Sequence, residues 1–371
     1  MRSSLVLAAA LAVFAQAAAA NPLLSPSPLP LHYPQFDKID DSHFAPALDQ
    51  GMAEQLRDVS AIASNPAAPS FDNTIVALEK SGRLLARSSS LLFSLLGADS
   101  NPARLKLQAD YAGRLAAHRD AIALNPQLFA RIDALYQVRA GLAAQEQRLI
   151  ERYHRNLVRA GAQLDEAQKQ RMKAINAELA PLAARFNQAV LAEVNDAAVI
   201  VDRVEELAGL SEAQISAAAA AAKARGLEGK YVIALLNTSS QPLLTQLQNR
   251  ALRERIHKAS VARGSRGNSH DTTALVSRTL SLRAERARLL GFATHADYVL
   301  KEETAKTVDA AMSMLRQLAP AAVATARREG AALQALIDQE QSAKQQPGFS
   351  LAAWDWAYYS ERVRAAKYGF D

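Results

Sequence analysis

The chain has 371 residues, 49% of them hydrophobic, with 43 Lys and Arg against 37 Asp and Glu, no cysteine, and only 15 Gly and 14 Pro. That length is ample for a buried core, and the scarcity of turn formers argues against a disordered chain or a turn-dense β-sandwich. Zero cysteine excludes a disulfide framework, a thiol nucleophile and any Cys-ligated zinc or iron–sulfur site, while a net charge of +6 is too mild to argue by itself for nucleic acid.

Residues 1–20 (MRSSLVLAAALAVFAQAAAA) read as a signal peptide: Arg2 supplies the positive end and Leu5 to Phe14 an apolar stretch. Ala18 and Ala20 then form a small-residue cleavage site before Asn21. The apolar run is short of the roughly 20 residues a membrane span needs, so the expectation is cleavage after Ala20 and a periplasmic or secreted product. Residues 21–42 are Pro- and Ser-rich and are expected to form an extended arm, with a helical lobe over 43–371.

Helix signals follow one another along that lobe. Ser42 is a candidate cap for a helix with Phe44, Leu48, Met52, Leu56 and Val59 at helical spacing, and Asp72 or Asn73 for the next. Asn101-Pro102 and Asn125-Pro126 each place proline just inside a helix start, where its missing N–H costs nothing. Gly161 stands where a C-terminal capping glycine is usual, and a long pattern from Asp165 to Glu193 is expected to break or kink at Pro181. Val199-Ile200-Val201 and Tyr231-Val232-Ile233 are the clear strand-like runs, flanking a helix from Ser211. Helices resume after Pro242, from Asp271, from Thr307 to Gln341, and from Trp354 to Tyr368. The fold class is therefore all-α, mostly helical, with one small two-stranded β element.

The inventory of chemistry is thin. The seven histidines are His32, His43, His118, His154, His257, His270 and His295, and no pair has the H-E-x-x-H spacing that puts two imidazoles on one helix face to hold zinc. His270-Asp271 and His295-x-Asp297 come nearest to a ligand cluster, but an Asp in such a place is more often a cap. No G-x-S-x-G elbow, P-loop or dinucleotide glycine fingerprint occurs, and Gly264 to Gly267 is too short for one. The densest basic stretch, Arg250 to Arg266, reads either as an anion- or acidic-peptide-binding surface or, by preference, as a solvated helix face with Glu254 interleaved. Trp354 and Trp356 with Tyr358 and Tyr359 form an aromatic cluster: one tryptophan is expected in the core and the other against another domain, with a carbohydrate or peptide platform as the sharper alternative. No catalytic residue and no metal ligand is assigned, and substrate-binding residues stay unknown.

A set of collinear segments nevertheless resembles the N-terminal half of the M3 family of zinc metallopeptidases, above all its bacterial dipeptidyl carboxypeptidase branch. They include Pro34 to Ile39, His43 to Ala47, Pro69 to Gly82 (PSFDNTIVALEKSG), Val158 to Leu164, Leu207 to Ser211, Gly226 to Lys230, Leu236 to Pro242, Arg250 to Arg255, Leu282 to Tyr298 and Trp354 to Tyr359. Ser239-Ser240 and Lys301 to Lys306 depart locally from the branch's pattern. The resemblance implies a two-lobed helical body with a deep central channel, and removal of C-terminal dipeptides from short peptides. It also implies one catalytic zinc ion, held by an H-E-x-x-H helix and a further carboxylate that family members carry beyond the position of Asp371. On that reading the chain is an N-terminal fragment whose partners are short peptides and the missing C-terminal half, with no nucleic acid and no membrane after signal cleavage. It binds no zinc itself and is inactive alone. The alternative is a stand-alone periplasmic helical protein that binds peptides or a partner without catalysis.

Overall fold

In the computed structural model, residues 21–236 and 241–369 are described. The signal peptide expected over 1–20 and the Ser239-Ser240 departure lie outside them. The chain divides into two compact units, one running to Arg185 and including Leu282–Gly291, the other made of Phe186–Ser281 and the residues from Phe292 on.

The stretch expected as an extended arm carries three short 3-10 turns, at Pro30–His32, Phe36–Lys38 and Asp41–His43. Its start is pinned to the first unit: Leu23 is buried against Phe44, Leu48 and Leu92, and its carbonyl accepts a 2.9 Å hydrogen bond from Arg87. Helix α1 (Phe44–Ala63) buries Phe44, Ala47, Leu48, Gly51 and Met52 on one stripe, the spacing expected of an amphipathic helix. Asp40 and His43, not Ser42, organise its approach: the Asp40 amide donates to His43 Nδ1 at 3.0 Å. The next turn, Phe71–Val76, is a π-turn capped by Ser70, whose Oγ accepts from the Asn73 amide at 3.1 Å. Asn73 thus answers the cap instead of being it, because its side chain returns to the Ser70 amide at 2.9 Å.

Helices α2 (Ala77–Lys80), α3 (Arg83–Ala98), α4 (Pro102–Ala123), α5 (Pro126–Val138), α6 (Ala144–Ala160) and α7 (Glu166–Asp196) follow. Asn101 and Asn125 cap α4 and α5 as expected, accepting from Arg104 and from Gln127 and Leu128. Gly161 closes α6 at φ +107°, a conformation open to glycine at little cost. Pro181 lies inside α7, which runs on past it as one helix. Gly51 sets how closely α1 and α3 approach, since a Cβ there would stand 2.7 Å from the Leu85 backbone nitrogen. Two cores result, one centred on α1, α3 and α4 and the other on α1, α5 and α6.

In the second unit, β1 (Val199–Val201) pairs antiparallel with β2 (Tyr231–Ile233), Ile200 opposite Val232. Helix α8 (Glu212–Lys223) connects them, capped by Ser211. After a 3-10 turn at Pro242–Thr245 come α9 (Arg250–Val261), α10 (Thr273–Leu289), α11 (His295–Leu300), α12 (Val308–Ala343) and α13 (Ala353–Tyr368). Residues of α10 from Leu282 are counted with the first unit, where Glu285 takes a bidentate ion pair from Arg171. Val199, Val201, Ile233, Leu247, Leu252 and Ile256 form the central core of the second unit, and Leu333, Ile337 and Tyr359 a smaller one between α12 and α13. The fold is thus helical with a single two-stranded antiparallel sheet among the described residues. None of the described helices is long and apolar enough to cross a membrane.

Candidate functional site

The most concentrated chemistry of the second unit lies where α9 meets α13. Asn249 caps α9, accepting from the Leu252 amide at 3.1 Å, which fixes the first turn and sends Arg250 and Arg253 toward α13. Asp355 stands in the first turn of α13, where the helix dipole favours a carboxylate. It is fully buried, and its two oxygens accept from Arg250 Nε at 3.1 Å, Arg250 Nη2 at 2.9 Å, Arg253 Nη2 at 2.8 Å and the Ala352 amide at 3.2 Å. Arg253, itself only 1% exposed, also donates to the Leu247 and Gln248 carbonyls. Rings close the cluster: Arg250 lies 4.2 Å over Phe349 and Arg253 4.3 Å over Tyr358. The hydrogen-bonding capacity of Asp355 is taken up by these donors, so the arrangement clamps two helices.

A second clamp closes the end of α7. Glu193 accepts from Arg266 Nε and Nη2, Asn268 Nδ2 and the Gly264 amide. The Arg266 guanidinium above all, with Asn268 and the amide, holds its carboxyl down to about 2 against the opposing effect of burial. A group so far from neutrality stays ionised and serves poorly as an acid or base.

These clamps give the basic stretch its partners. Arg250 and Arg253 are spent on Asp355, Arg255 on Glu206 and the Ile200 carbonyl, Lys258 on Glu254, Arg263 on the Leu235 carbonyl, and Arg266 on Glu193 and Asp196. The stretch keeps the preferred solvated face at Arg255 and Lys258, whose side chains stay exposed with Glu254 interleaved, and turns only Arg253 fully inward. The tryptophans both pack within the second unit. Trp354 lies against His257 and under Lys258, and Trp356 covers Gly330 of α12 while keeping 36% of its surface exposed.

The histidines are scattered. His32 bonds the Ser27 carbonyl, His43 the Asp40 amide, and His154 stacks on Tyr136 at 4.0 Å while meeting Asp133. Asp271 and Asp297 are caps: Asp271 accepts from the Thr273 amide, and Asp297 forms a capping box with Thr294. His118 is buried with Nε2 on Gln55 at 2.7 Å, at the edge of a shallow, mostly apolar hollow of about 490 Å³ that Phe93, Leu115 and Asp120 also line. Burial pushes the His118 ring below the usual imidazole range and the Asp120 carboxyl above the usual carboxylate range. Among the described residues, no group of three or more His, Asp or Glu is placed to hold a metal ion. The zinc implied by the resemblance has no fitting donor set in them.

With this geometry in view, the chain's relatives can be placed. The model of peptidase family M3 matches residues 243–371, the segment that contains Arg250, Arg253 and Asp355. The resemblance to the M3 peptidases stands. Dipeptidyl carboxypeptidase of Escherichia coli (strain K12) is 42% identical over 353 residues, covering 95% of this chain and 51% of that protein. The Salmonella typhimurium dipeptidyl carboxypeptidase matches to the same extent, and oligopeptidase A of E. coli is 27% identical over 357 residues. The chain spans about half the length of the curated relatives it matches. Two segments quoted for the resemblance, Arg250 to Arg255 and Trp354 to Tyr359, are joined through the Asp355 clamp although they lie 102 residues apart at the Arg253–Asp355 bond. Sequence reading had both segments but not the bond between them, because no local pattern marks an ion pair of such separation.

Proposed function

We propose that this chain is the N-terminal half of an exported M3-type zinc peptidase that removes dipeptides from the C-termini of short peptides. The observation that carries this is the collinear 42% identity with a dipeptidyl carboxypeptidase over 95% of the chain, together with the family match over residues 243–371. Zinc, in this reading, is held by the other half of the protein and supplies the hydrolytic chemistry there. The helical units of this chain serve as one wall of the channel that admits and orients the peptide. The Asp355 and Glu193 clamps suit that role, since guanidinium–carboxylate pairs with several bonds fix one helix against another at Asp355 and the end of α7 against the loop after α9 at Glu193.

Two experiments test the proposal. The chain is incubated with zinc and a blocked tripeptide, alone and after co-expression with the half of the E. coli relative that it does not match. The expected result is no dipeptide release alone and chelator-sensitive release from the co-expressed pair. Robust chelator-sensitive release by the chain alone, or none from the pair, overturns it. Export is tested by expressing the chain with residues 1–20 in E. coli and sequencing the N-terminus of the periplasmic fraction. Asn21 at the N-terminus is expected, and an uncleaved cytoplasmic product sinks that part of the proposal.

A further inference from the structure

Helix α12 is 36 residues long, and its two ends live in different surroundings. Toward its C-terminus Leu333 and Ile337 are buried, 3% and 0% exposed, against Tyr359 of α13 with Leu351 and Val363 packed around them. About five turns earlier, at ~3.6 residues per turn, Leu315 lies on the same line of the helix as Leu333. Val308, Ala311, Met312, Leu318, Ala322 and Ala326 fall within the same apolar stripe by their spacing. Yet Leu315 is 53% and Leu318 61% exposed, and every residue from Met312 to Glu329 is exposed. One stripe is therefore covered at one end and bare at the other. A bare line of Met312, Leu315 and Leu318 continued by Ala322 and Ala326 is more apolar than a solvated helix face needs. The cover runs out beside the last turn of α13, where Tyr368 shares a hollow with Arg328 and Ala332.

We propose that the bare stripe of α12, from Met312 to Ala326, is the seat on which the other half of an M3-type polypeptide packs. This rests on the reading given under Proposed function. It places the shared interface on α12, extending the existing α12–α13 contact, and not on the aromatic cluster of Trp354 to Tyr359, whose Asp355 and Tyr359 are already buried within this chain. The relatives, about twice as long as the chain, supply a polypeptide to cover it.

The test co-expresses the chain with the tagged, unmatched half of E. coli dipeptidyl carboxypeptidase. Three forms are compared: unaltered, the double variant Leu315→Asp with Leu318→Asp, and Gln317→Asp, which sits on the opposite side of the helix. Co-purification, dipeptide release, amide exchange over 308–329 and the thermal midpoint of the chain alone are recorded. The expected result is that the double variant loses co-purification and release at least tenfold, while Gln317→Asp retains both and neither variant moves the thermal midpoint of the chain alone. Amides of 308–329 exchange fast in the chain alone and gain protection in the pair. If the pair forms and works but ignores the double variant, the seat is elsewhere and the functional reading survives. If the unaltered chain neither co-purifies nor yields release, the functional reading fails and this inference with it. A dimer of the chain alone that the double variant dissolves makes a second copy the occupant and overturns the proposal. A lowered thermal midpoint overturns it too, because the stripe would then already be covered within the chain.

Discussion

Among the described residues, each unit of the protein buries one arginine in its interior, and the two are kept by opposite means. In the first unit Arg131 of α5 is 7% exposed and donates to the Asn65 and Ala67 carbonyls, Asn73 Oδ1 and Thr74 Oγ1, with no carboxylate among its partners. In the second, Arg253 of α9 is matched by the carboxylate of Asp355, itself at 0% exposure and shared with Arg250. The first guanidinium gathers a loop: its bonds tie the segment after α1 to the π-turn, so four neutral dipoles spread the charge. The second joins two helices distant in sequence, where the bonds shared with Arg250 work against a large loss of chain freedom. Burying an unpaired charge is expensive in both places, but only at the α9–α13 junction does removing one partner leave a full opposite charge stranded.

The largest expected effect breaks that pairing. Asp355→Ala leaves Arg250 and the buried Arg253 without their counter-charge, and a loss of about 3–5 kcal/mol in denaturant unfolding is expected. The double variant Arg253→Met with Asp355→Leu, which removes both buried charges, should recover most of it. An equal loss in the single and double variants would mean that the clamp works by shape and not by charge.

How much of this could be read beforehand follows the same division. Local devices were legible: the Asn101 and Asn125 caps, the Gly161 terminus and the two strands all rest on neighbours within a few residues. The cap at Ser70 was missed in favour of its partner Asn73, since both have cap chemistry and only the backbone path decides between them. The π-turn was not visible, because packing overrides local preference there, while of the break or kink expected at Pro181 the break does not occur. The Asp355 and Glu193 clamps were hidden for a different reason. Their arginines looked like a solvated basic run, and the carboxylates that neutralise them lie about 70 to 105 residues away. As for the chemistry, residue types alone named no catalytic group; only the ordered resemblance led toward a peptidase.

The Glu193 clamp sharpens the comparison through pH. Its carboxyl titrates at about 2 in the folded chain against an ordinary 4.5, so it stabilises the fold above pH ~4.5 and loses that contribution as pH falls toward 2. Glu193→Gln should therefore cost on the order of 2–3 kcal/mol at pH 7. The gap between variant and parent should close by about pH 2, as both states of the parent become protonated. A gap that persists unchanged across that range would show that the bond count at Glu193, and not its charge, carries the effect.

Arg131 provides the neutral counterpart. Arg131→Met strips donors from the Asn65 and Ala67 carbonyls but strands no charge, and a loss of about 1–3 kcal/mol in chemical denaturation is expected. A loss as large as that of Asp355→Ala would erase the distinction between the two units.

At the small end lies the exposed pair Lys106–Asp110 on α4, an i,i+4 bridge of 2.7 Å with side chains 74% and 49% exposed. Its geometry is as short as that of the buried clamps, so it isolates burial as the variable. Water screens both charges, and ordering two flexible side chains offsets much of the attraction. A double-mutant cycle over Lys106→Ala and Asp110→Ala should return a coupling of about 0.3–0.5 kcal/mol, fading further at high salt. A coupling above about 2 kcal/mol would mean that distance, not desolvation, sets the strength of these pairs, and the contrast drawn between Arg131 and Arg253 would then lose its physical basis.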